Sequence, residues 1–208
     1  MTFFLTPEES TVLVKLARKA VSEYLQTGRT VSPPPGVASK LERKLGVFVT
    51  LNGFQQGNKV LRGCIGFPYP IKPLVRAVIE AAISSATRDP RFSPVSPDEV
   101  DNIVFEISVL TPPELVKVEN PKDYPQEIKV GKDGLIVERS FYTGLLLPQV
   151  PVEWKWDEEE FLCQCCMKAG LPPDCWLLKD TKIYTFSCMI ARETTPNGYV
   201  EVEDMRKG

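Results

Sequence analysis

The sequence predicts an α+β fold with a mixed or antiparallel sheet. Three observations lead to this prediction: strand patterns cluster early and again late, helical patterns are inserted unevenly between them, and no regular strand–helix repeat is present. The 208 residues are 43% hydrophobic and 25% charged, which is typical of a globular protein. A chain of this length can form one domain, or one domain with a small lobe, and bury a core.

The first half of the chain is predicted to contain two helices and a hairpin. Thr6, Pro7 and Glu9 are typical of a helix start, and Gly28 of its end. Two strands, 46–51 and 59–65, flank the polar turn NGFQQGN. The second helix follows from one apolar stripe, which comprises Ile71, Leu74, Val75, Val78, Ile79, Ala82 and Ile83.

The second half alternates strands with shorter helices. A short helix capped by Ser96 and Glu99 comes first and is followed by a strand at 103–110. Two or three strands are predicted between 127 and 147, with a turn at 132–134. A helix capped by Asp157 and Glu160 then runs to Ala169, and the final strand is at 182–192. We expect the charged tail beyond that strand to be loose.

Charge and residue counts exclude several functional classes. A net charge of −2 gives no electrostatic reason to expect a nucleic acid or an anionic membrane as partner. No apolar run of about 18 residues is present, and the first ten residues are too acidic for a signal peptide. We therefore expect a cytoplasmic protein with six reduced cysteines. The chain has no histidine, so any catalysis must use other side chains.

The stretch VLRGCIGF, residues 60–67, is the first candidate site. It places Arg62 and Cys64 on either side of Gly63, with Gly66 two residues on. The phosphate-loop patterns GxGxxG and GxxxxGK[ST] are absent. Unhindered backbone N–H groups beside a guanidinium nevertheless suit a carboxylate, a phosphate or a developing oxyanion. The alternative is a tight turn around a buried thiol.

Two acidic positions are further candidates. Asp89-Pro90-Arg91-Phe92 either lines a site or is a turn that ends a helix and carries a surface ion pair. Glu106 stands among apolar residues of a strand. It is therefore either buried and paired with Arg62 or Arg91, or it alternates outward into solvent.

The segment CQCC contains Cys163, Cys165 and Cys166 but does not predict a metal or redox site. The cysteines lie beyond the first turn of their helix, where the helix dipole does not activate a thiol. A structural zinc would need a second closely spaced pair, which Cys175 and Cys188 do not supply. We expect buried helical cysteines, no cofactor and no metal, so chelation should leave the melting temperature unchanged.

Together with RGCIG, several segments resemble the AMMECR domain family, named for the chromosomal region of Alport syndrome, mental retardation, midface hypoplasia and elliptocytosis. They are AxxDPRFxPxxxxE (86–99), EISVL (106–110), GLLLPQV (144–150), FLxxxCxKAGLPxDxW (161–176) and the last strand. The resemblance covers nearly the whole chain. It implies a single domain over residues 1–208, with a larger lobe of mainly antiparallel sheet flanked by helices, a smaller lobe, and a cleft between them lined by RGCIG.

The resemblance also implies site residues and partners. The candidate ligand-binding residues are Arg62, Gly63, Gly66, Asp89 and Arg91, and the candidate catalytic residues are Cys64 and Glu106. Family members are mostly described as proteins of unknown function. Prokaryotic members are associated with a radical S-adenosylmethionine protein and with a MEMO-like protein of dioxygenase fold.

Two functional hypotheses remain open. In the first, Cys64 is the nucleophile or proton donor, Arg62 binds a small anionic metabolite or lowers the pKa of the thiol, and Glu106 or Asp89 is the base. Cys64 would then be the most reactive of the six thiols, and Arg62 and Arg91 would bracket one site. In the second, the protein is a non-catalytic adaptor that docks a protein partner, and Cys64 is a packing residue.

Overall fold

The computed structural model describes residues 5–36, 38–55 and 57–207. Two sequence predictions involve residues outside these ranges. Residues 1–4 belong to the segment that we judged too acidic for a signal peptide, and Gln56 belongs to the predicted hairpin turn. The chain forms two compact units. The first comprises Met1–Leu110 and Met189–Glu203, and the second comprises Thr111–Cys188 and Asp204–Gly208. No helix within the described ranges is both long and apolar enough to cross a membrane.

The described ranges contain five α-helices and nine β-strands. The helices are α1 (Pro7–Thr27), α2 (Leu74–Thr87), α3 (Tyr124–Glu127), α4 (Gln149–Trp154) and α5 (Glu158–Lys168). The strands are β1 (Gly46–Gln55), β2 (Asn58–Phe67), β3 (Ile103–Leu110), β4 (Glu114–Leu115), β5 (Gly134–Arg139), β6 (Tyr142–Leu146), β7 (Lys182–Phe186), β8 (Cys188–Glu193) and β9 (Val200–Asp204).

The strands form two sheets, one in each unit. Their orders are β2-β1-β3-β8-β9 in the first unit and β4-β7-β5-β6 in the second. Every pair whose register the structure gives is antiparallel. The predicted α+β fold of antiparallel sheets flanked by helices is therefore confirmed.

Helix α1 begins and ends as predicted. The Thr6 hydroxyl accepts a hydrogen bond from the Glu9 N–H, the Glu9 carboxylate accepts one from the Thr6 N–H, and Gly28 ends the helix in the left-handed region at φ 72°. Helix α2 begins only after Pro73, so the assignment of Ile71 to its stripe is wrong, and Ile71 is exposed. The prolines at 70 and 73 explain this, because a residue before proline is disfavoured in helical geometry.

The core of the first unit lies on one face of its sheet. Val47, Val49 and Leu51 of β1 are fully buried there, in one cluster with apolar residues of α1 and α2. Successive side chains of a strand point to opposite faces, so Thr50 lies on the other face. We call these the helix-covered face and the opposite face.

A buried ion pair joins α1 to the sheet of the first unit. The Arg18 guanidinium donates to both carboxylate oxygens of Glu193, at 2.8 and 2.5 Å, and to the carbonyls of Val100 and Ile103. Glu193 also accepts a hydrogen bond from the Phe105 N–H at 3.0 Å. These contacts satisfy two charges that would otherwise be costly to bury.

The predicted final strand at 182–192 is in fact two strands in different sheets. β7 belongs to the second unit and β8 to the first, with Ser187 between them. At this break the Ser187 N–H donates to the Thr111 hydroxyl, and the Thr111 N–H donates to the Ser187 carbonyl. The sequence could not show the break, because the strand-forming pattern continues across it.

The tail predicted to be loose contains β9. Val200 is buried and Val202 packs on the core of the first unit, whereas Glu201 and Glu203 alternate with them. This period of two is the pattern of an edge strand with one buried face. The prediction of a loose tail is therefore wrong for this segment.

The second unit is built around α5 and the hairpin of β5 and β6. Ser140, at φ 55°, lies in the turn of that hairpin, so the predicted turn at 132–134 instead precedes β5. The Asp157 side chain caps α5 by accepting a hydrogen bond from the Glu160 N–H, as predicted. Cys165 and Cys166 are fully buried in the core of this unit, as predicted. Cys163 is only partly buried, so the prediction of burial is wrong for this third cysteine of CQCC.

Candidate functional site

Three candidate side chains lie side by side on the opposite face of the first sheet. Thr50 of β1 faces Cys64 of β2 on one side and Glu106 of β3 on the other. Directly opposed residues in an antiparallel pair share a face and have neighbouring side chains. The Thr50 hydroxyl donates to Cys64 Sγ at 3.3 Å. We call Cys64, Thr50 and Glu106 the Cys64 row.

Glu106 is partly buried and paired with an arginine that the sequence analysis did not consider. Its side chain is 16% exposed, and its Oε2 lies 3.8 Å from Nη1 of Arg192 on β8. Arg192 also forms an ion pair with Glu203 of β9. Of the two alternatives for Glu106, a buried pair or a solvated side chain, the structure supports the pair. The partner is Arg192, and not Arg62 or Arg91 as expected.

Asp89 is the most strongly bound carboxylate of the site. Its side chain is 2% exposed. It accepts four hydrogen bonds: from the Cys64 N–H at 2.8 Å, from the Arg91 N–H at 3.1 Å, and from Arg91 Nε and Nη2 at 2.9 and 2.7 Å. The hydrogen bonds from Arg91 hold the pKa of Asp89 far below its usual range despite burial. A carboxylate held in this way is a positioning group and not a base.

Arg91 is the cation that Asp89 positions next to Cys64. Its Nη2 also donates to the Cys64 carbonyl at 3.4 Å, and its side chain is half exposed. The hydrogen bonds of the described residues include no acceptor for its Nη1. One edge of a fixed guanidinium is therefore available to a ligand.

Arg62 is occupied by a different set of contacts. It pairs with both carboxylate oxygens of Glu99, at 2.9 and 3.2 Å, and donates to the carbonyls of Ser93 and Pro94. The hydrogen bond from Arg62 lowers the pKa of Glu99. These contacts join β2 to the segment after α2, so the predicted role of Arg62 as an anion or thiolate partner finds no support in its geometry.

The thiol of Cys64 has a raised pKa, so the predicted lowering is wrong. Burial is the largest cause, and the nearby carboxylates of Asp89 and Glu106 act in the same direction. The hydrogen bond from Thr50 and the charge of Arg91 oppose them without reversing the shift. The physical reason is that burial disfavours the charged thiolate, whereas Arg62, the guanidinium predicted to lower the pKa, is bound to Glu99.

The glycines of RGCIG serve close packing. A Cβ on Gly63 would lie 2.1 Å from the Ser85 carbonyl oxygen of α2, and one on Gly66 would lie 2.5 Å from the Phe48 ring. The segment lies inside β2 and not in a turn. Its backbone donors are in use, since the Ile65 N–H donates to the Ser85 hydroxyl. Neither a tight turn nor a free set of N–H groups describes this segment.

Sequence reasoning missed Thr50, Arg192 and Ser85. Thr50 could have been found from the hairpin register, but a β-bulge hides that register. Leu51 pairs with Gly63 whereas Asn52 pairs with Leu61, so Arg62 has no partner on β1. Arg192 lies on a strand that pairs with β3 across a large sequence separation, and no local pattern marks it. Among the described residues, no group of three or more His, Cys, Asp or Glu could hold a metal ion.

Comparison with known proteins gives one consistent result. The AMMECR1 family model matches residues 14–191. Protein PH0010 of Pyrococcus horikoshii is 57% identical over 202 residues, covering 97% of this chain and 98% of that protein. Protein MK0488 of Methanopyrus kandleri is 52% identical over 202 residues, covering 97% and 96%. The crystal structure of uncharacterized protein PH0010 matches with a TM-score of 0.92 at 56% identity, covering 96% of this chain and 98% of that one.

Proposed function

The chain belongs to the AMMECR1 family, and from this premise we propose that it binds a small anionic molecule against the Cys64 row. Arg91 is the cationic contact and Cys64 is the reactive group at the floor of the site. The observation that supports this proposal is the guanidinium of Arg91. Buried Asp89 fixes it next to Cys64 while one edge has no acceptor among the described residues.

Arg91 replaces Arg62 as the residue that we expect to bind the anion. Arg62 already binds Glu99 bidentately and donates to two carbonyls, so a ligand would have to displace a complete set of contacts. A ligand that binds Nη1 of Arg91 would displace no hydrogen bond to a described residue. A preorganised guanidinium loses little conformational entropy on binding a carboxylate or phosphate, which favours it as an anion site.

Cys64 acts in this proposal as a neutral thiol at physiological pH. Because burial raises its pKa, it is suited to donate a proton, or to attack a substrate once a base has removed its proton. The Thr50 hydroxyl lies between Cys64 and Glu106 in the row. Glu106 is therefore the base that we propose: the Thr50 hydroxyl turns from Cys64 Sγ to the Glu106 carboxylate, gives that carboxylate its proton and takes the proton of the thiol.

Two alkylating reagents of similar size test the anion site. Iodoacetate is anionic and iodoacetamide is neutral, so the ratio of their rates at one cysteine reports the local attraction for anions. Removing the Arg91 charge changes the net charge beside Cys64 by one unit, and one unit of charge at a half-exposed site contributes about 1 kcal/mol, or about fivefold in rate. We expect a higher ratio at Cys64 than at half-buried Cys163, measured by peptide mass spectrometry of native protein.

Variants of Arg91 decide the outcome of this experiment. Arg91→Gln should lower the rate ratio at Cys64 by about fivefold, whereas Arg91→Lys, which keeps the charge, should largely retain it. The ratio at Cys163 serves as the internal control, and far-ultraviolet circular dichroism checks that each variant is folded. An equal ratio at Cys64 in the wild type and in Arg91→Gln would contradict the proposed anion site.

A second candidate function, docking of a protein partner, is favoured by a separate observation. Phe141, Tyr142 and Trp154 of the second unit are more than half exposed, and exposed aromatic residues are typical of docking surfaces. By resemblance the partner would be a MEMO-like protein or a radical S-adenosylmethionine protein. Co-sedimentation with a MEMO-like protein that is lost in Trp154→Ala would support docking, and no co-sedimentation would contradict it.

The cysteines support a proposal on location. All six are free, as is usual for proteins of a reducing compartment. We therefore propose that the protein works in the cytoplasm.

A further inference from the structure

A cavity lies in the first unit, away from the Cys64 row. It has a volume of about 520 Å³ and is bounded by α2, the last turns of α1 and residues 30–33. Small-molecule sites typically have volumes of about 300–1,000 Å³. No residue of the Cys64 row lines it, so its role is independent of the function proposed above.

One part of the cavity wall is apolar. Ile79 and Ile83 are one turn apart on α2 and almost fully buried, and both line the cavity. Tyr24 of α1 and Val31 line it as well, and both are partly buried. These four side chains offer an apolar surface to the body of a ligand.

Another part of the wall is cationic. Arg76 on α2 and Arg88, the residue that ends α2, line the cavity together with Glu80 and Ser84. Neither guanidinium has a hydrogen-bond or ion-pair partner among the described residues. Glu80 is occupied by Lys72, whose Nζ lies 2.5 Å from its Oε2. The cavity therefore carries two unneutralised cations.

A hydroxyl on the cavity wall offers a hydrogen-bond donor to an anionic group. Ser84 is 9% exposed and lines the cavity, and its side chain forms no hydrogen bond with any described residue. Its neighbour Ser85, in contrast, donates to the Val49 carbonyl. The Ser84 oxygen is not among the fully buried polar atoms that lack a partner, so it is open to the cavity and can donate to a ligand. Arg88, the residue that ends α2, follows Ser84 by four positions.

We propose that this cavity binds an anionic organic molecule with an apolar body, such as an aromatic carboxylate, sulfonate or phosphate ester. The apolar body lies on Ile79 and Ile83. The anionic group lies between the Ser84 hydroxyl and the Arg88 guanidinium, so both donors gain an acceptor.

Two fluorescent probes that share an apolar body test the proposal. Anilinonaphthalene sulfonate carries one anionic group, and N-phenylnaphthylamine carries none. We expect the full-length protein to bind the sulfonate probe at one site and more tightly than the neutral probe. Arg88→Gln should weaken the sulfonate probe about tenfold, since a hydrogen bond to a charged group contributes about 1.5–3 kcal/mol, and should change the neutral probe less than about twofold.

Two further variants complete the experiment. Lys179→Gln removes one exposed positive charge from the second unit and should leave both affinities unchanged. Ser32→Trp places a large side chain on the exposed wall of the cavity and should weaken both probes. The proposal is overturned if the ratio of the two affinities is the same in wild type and Arg88→Gln, if Lys179→Gln lowers that ratio as much, or if Ser32→Trp leaves both probes bound.

Discussion

Asp89→Asn should destabilise the first unit by about 3 kcal/mol, because it breaks the contact that holds Arg91 beside Cys64. The Asp89 carboxylate accepts two hydrogen bonds at each oxygen, all from Cys64 and Arg91. In Asp89→Asn an NH₂ group replaces one of these oxygens. This group cannot accept the two hydrogen bonds, and its own N–H groups point at the donors that made them. Breaking a buried pair costs about 3–5 kcal/mol, and the lower end applies because half-exposed Arg91 can be solvated again.

The effect should depend on pH in a defined direction. The pKa of Asp89 is lowered in the folded protein, so its contribution to stability is present above the unfolded pKa of about 3.9 and is lost as the pH falls through the folded pKa. We therefore expect a constant difference in unfolding free energy between wild type and Asp89→Asn from about pH 5 to 8. Below about pH 4 the difference should narrow.

Urea unfolding with two probes measures this difference. Trp154, Trp156 and Trp176 all lie in the second unit, so intrinsic fluorescence reports that unit and far-ultraviolet circular dichroism reports both. Asp98→Asn, at an exposed position close in sequence, is the matched control and should change stability by less than about 0.5 kcal/mol. The reasoning is refuted if Asp89→Asn is as stable as that control, or if its deficit does not narrow in acid.

Two further predictions concern groups outside the anion site. Glu193→Gln should cost about 3 kcal/mol in urea unfolding, because it leaves the buried guanidinium of Arg18 without its counterion; a loss below about 1 kcal/mol would show that the pair is not needed. In native protein, N-ethylmaleimide should modify Cys64 and Cys163 first, since the other four cysteines are buried, and labelling of Cys64 should rise above about pH 8.5 because its pKa is raised. Early labelling of any buried cysteine would contradict this order.

Local sequence signals determined most of the helices and strands. The Thr6 capping box and Gly28 define α1 because both act within a few residues of the helix ends. Strand β3 begins and ends where its apolar run does, at Ile103 and Leu110. The burial of Cys165 and Cys166 followed from the helix pattern in the same way. In each case the determining contacts are close in sequence, so the pattern is sufficient.

The composition and motifs of the candidate site were also visible in the sequence. RGCIG, DPRF and Glu106 contain the residues that the structure brings together around Cys64, and the absence of histidine limits the chemistry available there. The sequence did not show which of Arg62 and Arg91 keeps an edge of its guanidinium open to a ligand. That depends on Glu99 binding Arg62 and on Asp89 binding Arg91 beside the Cys64 backbone, and both sets of contacts include long-range hydrogen bonds.

The tertiary structure alone decided which face of the sheet carries Cys64. Counting back from the hairpin pair Gln55 and Asn58 would place Thr50 opposite Gly63 and would put Cys64 on the helix-covered face. The β-bulge at Arg62 shifts the register by one residue, so Cys64 lies opposite Thr50 and in line with Glu106. The physical reason is that register depends on packing between strands, here on the approach of Gly63 to α2 and on the contacts of Arg62, which no local pattern in the sequence records.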